Sequence, residues 1–334
     1  MSSDRSNQPQ SSKSEWQHAP ELPIENGPLF AWPPNPLKIL RWYLSVWVAL
    51  TERMFIVLIA FASWFFLQPA LELCITFEPG WILQIYARNL GLTVLLAGGL
   101  HLYFYTFQKQ GVKRKFDLRA LVESSRTFTW NSQVRDNMFW TCVSGVTIWS
   151  AYEILLTWAY ANGYLPRLSW DEHPVWFVAL FVAIPVWYSF HFYWAHRFLH
   201  WPPLYRLAHA LHHRNINTGP WSGLSMHPIE HVLYFSSGLI FFLVPAHPVH
   251  IIYHMQYFSL AAITSHSGHE TRLVKDKDTV QLGYFFHQLH HRYFECNYGT
   301  GEMPWDKWFG SFHDGTPEAT KKIRERRARM HRTA

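Results

Sequence analysis

Residues 174–200 read PVWFVALFVAIPVWYSFHFYWAHRFLH, and this stretch decides the fold. Its first 22 residues contain no Asp, Glu, Lys or Arg, and a helix needs about 20 apolar residues to cross a membrane. His196 and His200 follow directly at a spacing that puts both on one face of a helix. The stretch therefore predicts a membrane-spanning helix over 174–195 that ends in two candidate metal ligands.

Other apolar runs predict further spans. The first apolar stretch runs from Trp42 to Leu67 and is interrupted by Glu52 and Arg53, so we expect its span to be 54–67. The second and third are 90–107 and 138–161. A fifth run, 232–264, is broken by Pro245-Ala246-His247-Pro248, so we expect a hairpin that dips into the bilayer or two short tilted helices. Trp and Tyr flank the runs, which favours a membrane stem over a soluble all-α bundle.

The overall composition agrees with a membrane protein. Charged residues make up 16% of the chain, against roughly 25% in soluble domains, whereas apolar residues reach 49% and aromatic residues 18%. These values exclude a disordered protein and an ordinary cytosolic enzyme. Cys74, Cys142 and Cys296 show no CxxC spacing, which excludes a disulfide framework, a zinc ribbon and an iron–sulfur site.

The placement of Lys and Arg predicts the orientation. The loop between the second and third spans carries seven of them, namely Lys109, Lys113, Arg114, Lys115, Arg119, Arg126 and Arg135. The loops 68–89 and 161–173 carry only Arg88 and Arg167, and the stretch 321–329 is strongly basic. By the positive-inside rule both termini and the region after His196 are cytoplasmic. A basic end of this kind is more typical of contact with anionic lipid than with nucleic acid.

The chain divides into three parts on this basis. Residues 1–36 are rich in Ser, Gln, Pro and Asn and predict a disordered tail. Residues 37–320 predict a single integral membrane domain, whose histidine motifs occupy 190–312, and residues 321–334 predict a basic tail. The expected fold is all-α, with a stem of about four spans plus the hairpin and a cytoplasmic, histidine-rich cap that holds two metal ions.

The histidines carry the chemistry. Sixteen of the 21 lie between His191 and His291, and two HxxHH motifs begin at His209 and His287. In each motif the outer two histidines share a helical face and the middle one is rotated by about 100°. One short helix can therefore serve two adjacent metal ions. With the first pair, the motifs supply eight nitrogen ligands: His196, His200, His209, His212, His213, His287, His290 and His291.

Two further histidines lie at the ends of the broken apolar run. We expect His227 and His266 to complete the metal shell, and Glu230 to orient a ligand imidazole by accepting its second ring N–H. Six others are expected to be ordinary hydrogen-bonding side chains: His191, His231, His247, His250, His254 and His269. Imidazole suits Zn, Cu, Fe and Ni, so spacing alone does not choose the metal. A structural zinc site would need only four ligands, usually with cysteines among them.

The motifs resemble a known family, the fatty acid hydroxylase/sterol desaturase superfamily. The matching elements are His196-Arg-x-x-His200, Tyr205-x3-His209-x2-His212-His213, His227-Pro-x-Glu230, His287-x2-His290-His291, Asn297-Tyr298-Gly299 and Trp305-Asp306-Lys307-Trp308-Phe309-Gly310. Within the superfamily, the Trp201 to Tyr205 and His227 to Glu230 segments are most similar to the C-5 sterol desaturase and methylsterol oxidase branches. The resemblance covers roughly residues 190–312.

The resemblance implies a membrane-bound oxidase or hydroxylase with two irons in a cytoplasmic cap. It uses O2 and two electrons from an external donor of the ferredoxin or cytochrome b5 type, and no catalytic side chain beyond the metal site. The eight motif histidines are the implied ligands, and His266 matches a further position common in several branches. The sequence departs from the family pattern at His269, because in the family an aromatic residue often stands at this position, directly after His-Ser-Gly. The basic loop 109–119 and the basic C-terminal stretch would offer docking surfaces for the donor, or serve only as topology determinants.

Several alternatives remain open at this stage. A sterol-like or fatty-acyl lipid fits equally, as do hydroxylation and desaturation. The main rival is a histidine-rich membrane transporter or sensor for zinc or iron without redox chemistry. Transport sites usually lie near the bilayer midplane, whereas these motifs follow the fourth span. A membrane metalloprotease is disfavoured because no HExxH motif occurs.

Overall fold

The computed structural model describes residues 16–48 and 51–332 and is predominantly helical. The helices are α1 (Pro36–Tyr43), α2 (Glu52–Ala62), α3 (Pro79–Thr93), α4 (Gly99–His101), α5 (Gln133–Phe139), α6 (Val146–Ala161), α7 (Pro174–Leu199), α8 (Pro202–Leu204), α9 (Ala210–His213), α10 (Pro228–Phe235), α11 (Pro248–Ser265), α12 (Phe285–Tyr293), α13 (Trp305–Trp308) and α14 (Pro317–Arg332). Two strands, β1 (Thr271–Val274) and β2 (Lys277–Gln281), pair antiparallel. Wider π turns join several helices into longer rods, and Pro220–Ser222 and Ser236–Phe242 are 3-10 turns.

Within the described residues, two helical rods are long and apolar enough to cross a membrane. They are Gln133–Ala161, with 29 residues, and Pro174–Leu199, with 26 residues. They contain the third and fourth predicted spans. The second predicted span lies almost entirely in the rod formed by α3, Val94–Gly98, α4 and Leu102–Thr106, and the first lies in α2 and the following turn Ser63–Leu67.

The run 232–264 forms two separate helical segments, which was one of the two expected arrangements. One is α10 with the 3-10 turn that ends at Phe242, and the other is α11, which begins at Pro248. Sixteen of its 18 residues are buried, and it packs against α2, α6 and α7. It is the central helix of the main hydrophobic core, together with large side chains such as Trp149, Phe235 and Phe258. An apolar run of this length suits a buried core helix as well as a membrane segment, and the surrounding rods supply the apolar environment here.

The β-hairpin is a correction to the expected all-α fold. Lys275 and Asp276 both have positive φ, at 50° and 60°, so they form the two-residue turn whose twist matches a β-hairpin. Lys113 pairs with Asp276 at 2.7 Å and Arg114 with Asp278 at 2.6 Å. Part of the basic loop 109–119 is therefore neutralised by the hairpin.

The N-terminal segment also differs from expectation. Residues 1–15 of the predicted disordered tail lie outside the described residues, but residues 16–36 pack against the C-terminal part of the chain. Trp16 is buried against Phe285 at a ring-centroid distance of 5.1 Å, and the Gly27 N–H donates to the Gly301 carbonyl at 2.8 Å. The low hydrophobicity of this segment concealed the anchoring role of a single tryptophan.

A second, smaller hydrophobic cluster lies around α12. Its buried members are Trp16, Phe116, Phe285, Leu289, Tyr293, Cys296 and Ile323. This cluster joins α12 to α14 and shares no residue with the main core of the helical rods. It therefore holds the C-terminal part of the chain to the histidine motifs independently of the main core.

Candidate metal centre

Four helical segments bring the histidines together. Helix α7 ends at Leu199 because Pro202 and Pro203 follow, which leaves His196 and His200 at its carboxyl end. A continuous helical rod from α8 to α9 carries the first HxxHH motif and α12 carries the second. His266 directly follows the last residue of α11.

Nine histidines form two adjacent groups. The first group consists of His196, His200, His209, His213 and His290, and the second consists of His212, His266, His287 and His291. Within each group the ligand nitrogens all lie within 4.8 Å of one another. Every member is buried except His200, which is half-buried. The groups adjoin, since the ring centroids of His290 and His291 are 5.8 Å apart.

The division between the groups follows helical geometry. The outer histidines of the first motif, His209 and His213, belong to the first group, and the middle one, His212, belongs to the second. In α12 the assignment is reversed, because His287 and His291 join the second group and His290 joins the first. Each HxxHH helix therefore contributes to both groups, as the 100° rotation per residue requires.

The Nε2 atoms converge inside each group. In the second group, His266, His287 and His291 form a triangle with Nε2–Nε2 distances of 3.0 to 3.2 Å. In the first group the Nε2 atoms of His213 and His290 are 2.9 Å apart. Such crowding of nitrogen atoms is the arrangement expected of ligands around a cation.

The opposite ring nitrogens are held by the backbone. The Nδ1–H groups of His196, His266 and His290 donate to the carbonyls of Tyr298, Ala262 and Cys296 at 2.6, 2.7 and 2.6 Å. His212 Nδ1 lies 3.3 Å from the Ser225 carbonyl. A proton fixed on Nδ1 leaves the lone pair on Nε2, pointing into the group. The donor set therefore fits a metal ion in each group.

Glu230 supplies a carboxylate behind one ligand. Its Oε1 lies 2.8 Å from His209 Nδ1, and both side chains are buried. Burial raises the pKa of the Glu230 carboxyl well above its usual range. A cation bound by His209 would favour the ionised carboxylate, which then accepts the Nδ1–H bond. This arrangement matches the role predicted for Glu230.

Burial also keeps the candidate ligands neutral. It lowers the pKa of His212 to about 4 and holds the pKa values of His213, His287 and His291 well below their usual 6.5. Only a neutral imidazole can bind a metal, because protonation removes the lone pair. The ligands are therefore ready for a metal at neutral pH.

A small cavity of about 50 Å³ opens beside both groups. Five of the nine histidines line it: His196, His209, His212, His266 and His287. The rest of the wall is mainly apolar and aromatic and includes Phe192, Leu199, Met226 and Tyr234. Phe192 is the one residue of Phe190, Phe192, Tyr193 and Trp194 that lines the cavity. Tyr193 stacks on Trp305 and Phe309 instead. The apolar wall suits a short apolar segment of a larger molecule next to the candidate metal sites.

His227 is the one predicted ligand that the structure does not bring to either group. It caps α10, where its Nδ1 accepts a hydrogen bond from the Ile229 N–H at 3.3 Å. The six histidines expected to be ordinary hydrogen-bonding side chains each have a hydrogen-bond partner. For example, His250 Nε2 lies 2.9 Å from the Phe177 carbonyl, and His254 Nε2 lies 2.8 Å from Ser237 Oγ.

The sequence did not reveal the backbone carbonyls that hold the ligands, or how they are placed. Buried Asp306 accepts hydrogen bonds from the Tyr298 and Gly299 N–H groups, both at 2.9 Å. It thereby fixes the loop whose Tyr298 carbonyl binds His196. The motifs Asn297-Tyr298-Gly299 and Trp305-Asp306 contained the signal, but only the folded chain shows their link to the metal centre.

Comparison with known proteins places this geometry in context. The fatty acid hydroxylase family model matches residues 181–311. The chain is similar to a Delta(7)-sterol 5(6)-desaturase of Eremothecium gossypii, with 31% identity over 38% of this chain and 35% of the relative. It is also similar to that of Saccharomyces cerevisiae, with 32% identity over 36% of this chain and 32% of the relative. A Delta(7)-sterol-C5(6)-desaturase of Nicotiana tabacum is 27% identical over 72% of this chain and 88% of the relative.

The coverage of these relatives is uneven. The match spans about a third of the length of the two fungal relatives and most of the length of the tobacco relative. No solved structure matches the chain significantly.

Proposed function

Because the chain belongs to the fatty acid hydroxylase/sterol desaturase superfamily, near the C-5 sterol desaturase branch, we propose that it is a membrane-bound oxidoreductase that uses two iron ions and O2 to oxidise a lipid. The observation that carries this proposal is the pair of adjacent histidine groups beside one apolar cavity. Imidazole is a common ligand for iron, and the two groups together supply nine buried or half-buried rings.

The nine histidines of the two groups would hold the irons. When bound, the irons would supply the activation of O2 and the removal of hydrogen from an unactivated C–H bond. The chain positions the ligands through Glu230 and the backbone carbonyls behind them. It also orients the substrate, since the apolar cavity wall excludes water and holds an apolar carbon against His196 and His287.

We place the metal centre at the cytoplasmic face of a multi-pass stem of about four spans within residues 37–320. The two long apolar rods support this topology, and the distribution of Lys and Arg in the loops supports the orientation. In this arrangement α7 crosses the membrane and delivers His196 and His200 at its cytoplasmic end. Helices α10 and α11 are then the two short helices of the broken run.

We propose a sterol-like lipid as the substrate. The similar proteins from fungi and tobacco carry names that state sterol 5(6)-desaturation, and the mainly apolar wall beside the histidines suits the apolar part of a lipid. The product is then either an alcohol or a new double bond. The two electrons that the reaction requires come from an external donor.

The test is oxidation of lipid by purified protein. Iron-loaded protein in lipid nanodiscs is reduced, exposed to O2 and supplied with a Δ7-sterol, and the lipids are analysed by mass spectrometry. We expect O2 consumption together with a gain of one oxygen or a loss of two hydrogens in the sterol. Stoichiometric zinc without O2 consumption would instead support the rival function of a metal transporter or sensor.

A further inference from the structure

The two sides of the metal centre are unlike each other. Five histidines face the apolar cavity, but His213 does not line it. The His213 ring instead contacts Phe294, with the ring centroids 4.9 Å apart. Phe294 directly follows α12, the helix that carries the second HxxHH motif.

Phe294 is held in an unusual conformation. Its φ is +68° and its ψ is −51°, a region that is strained for a residue with a bulky side chain. Its N–H donates to the His290 carbonyl at 2.7 Å. The ring is half-buried, and the guanidinium of Arg327 lies 5.5 Å from its centroid. A single aromatic ring therefore separates His213 from a surface arginine.

The surface above Phe294 is strongly basic. Between residues 321 and 329, α14 carries six basic residues and one acidic residue. Arg324 lies over Tyr293 at 6.0 Å, beside the contact between Arg327 and Phe294. Most of the basic side chains in 321–329 are exposed, whereas Ile323 is buried in the cluster around α12 and anchors the helix there.

We propose that the basic face of α14 (321–329) docks an acidic one-electron carrier protein, and that electrons pass from it through Phe294 and His213 to the metal centre. This inference rests on the proposed function, which needs two external electrons. Neither Phe294 nor any residue of α14 lines the cavity that the substrate would occupy, so carrier and lipid do not compete for the same surface.

The electron balance is complete with this partner. Two carrier molecules are each oxidised by one electron. In desaturation these two electrons, two protons and two hydrogen atoms from the lipid reduce O2 to two water molecules. In hydroxylation the two electrons and two protons reduce one oxygen atom to water, and the other oxygen atom enters a C–H bond.

A protein partner fits this surface better than a membrane does. Helix α14 packs on the separate cluster around α12 rather than on the main core that contains the apolar rods. The basic loop 109–119 is a weaker candidate, because Lys113 and Arg114 are already paired with Asp276 and Asp278, and Arg119 with Asp117. Complementary charge raises the rate of association, which suits a small transient interface of the electron-transfer type.

Stopped-flow reduction tests the docking surface. Iron-loaded protein in zwitterionic nanodiscs is mixed with reduced soluble cytochrome b5 and, separately, with reduced acidic ferredoxin. We compare the double variant R324E/R327E with R126E/R135E, which makes the same change in charge on exposed arginines of the loop 107–135. We expect the α14 variant to lower the second-order reduction rate about tenfold or more at low salt, and the control to change it little.

A second variant separates electron transfer from docking. Phe294→Leu removes the ring but no charge, so the reduction rate at saturating carrier should fall several-fold while the salt dependence stays that of the wild type. Reduction by dithionite, which needs no docking, is the reference rate for each protein. Iron content and thermal stability show whether each variant is folded.

Each outcome decides between the two proposals. The inference is overturned if neither carrier reduces the wild type, or if both charge-reversal variants lower the second-order reduction rate by the same factor. It is equally overturned if charge reversal in α14 weakens binding to phosphatidylserine vesicles and leaves the reduction rate unchanged. It is also overturned if Phe294→Leu leaves the saturated rate unchanged. A wild type that dithionite reduces without later O2 consumption contradicts the proposed function instead.

Discussion

At the scale of single residues, the metal centre depends on which nitrogen of each ring is free. Backbone carbonyls fix the Nδ1 atoms of His196, His266 and His290, and a carboxylate faces His209. The spacing of the HxxHH motifs predicted the division of the ligands into two groups, because it depends only on helical rotation. The carbonyls of Tyr298 and Cys296 could not be predicted, because their approach depends on loop conformation.

Removal of a ligand should separate true ligands from neighbouring histidines. We expect His212→Ala and His290→Ala each to abolish lipid oxidation and lower the iron content, with membrane insertion intact. His227→Ala is the matched control. It should cost only about 1 kcal/mol of stability through the lost helix cap and keep its iron. Metal analysis and lipid mass spectrometry measure both effects, and full activity in either ligand variant would refute the assignment.

Glu230 should act as a positioning residue. Glu230→Gln removes the negative charge that holds His209, so we expect iron affinity to fall by about 10- to 100-fold. The Glu270→Gln variant is the control, because Glu270 pairs with His18 outside the metal centre. Competition with a chelator of known affinity measures the change. Equal affinities for the Glu230→Gln variant and the wild type would show that the carboxylate has no influence on the ligand.

At the scale of elements, the sequence predicted the long apolar rods better than their packing. The length of the uncharged apolar run identified α7, and the Pro245–Pro248 segment identified the break before α11. The burial of α11 in the core was not predicted, because hydrophobicity is the same in lipid and in a protein core. The β-hairpin was missed because its strands have only four and five residues and are largely exposed. Arg88 was assigned to a loop, but it lies in α3 and pairs with Glu153 of α6.

The ion pair between α3 and α6 allows a test of packing in the stem. Both side chains are buried, and Asn89 also donates to Glu153 at 3.0 Å. Arg88→Leu leaves the Glu153 charge without its partner, so we expect it to destabilise the fold by about 3–5 kcal/mol. The double variant R88L/E153L should recover much of the loss, because no buried charge remains. Thermal unfolding in detergent measures both, and a double variant less stable than R88L would contradict this explanation.

At the scale of the whole molecule, the chain keeps three environments apart. The apolar rods form the proposed stem, the apolar cavity borders the histidine groups, and the basic helix α14 lies beyond Phe294, which the cavity does not reach. The proposed oxidase needs a site that excludes water for the lipid and a solvent-exposed surface for its electron donor. The family resemblance indicated both requirements, but the separation of the cavity from the basic helix follows only from the three-dimensional arrangement.

X-ray absorption at the iron edge, combined with metal analysis of the purified protein, tests the existence of the two-iron centre most directly. We expect about two irons per chain, each surrounded by imidazole nitrogen with no sulfur ligand. A single zinc per chain, or iron without imidazole scattering, would contradict it.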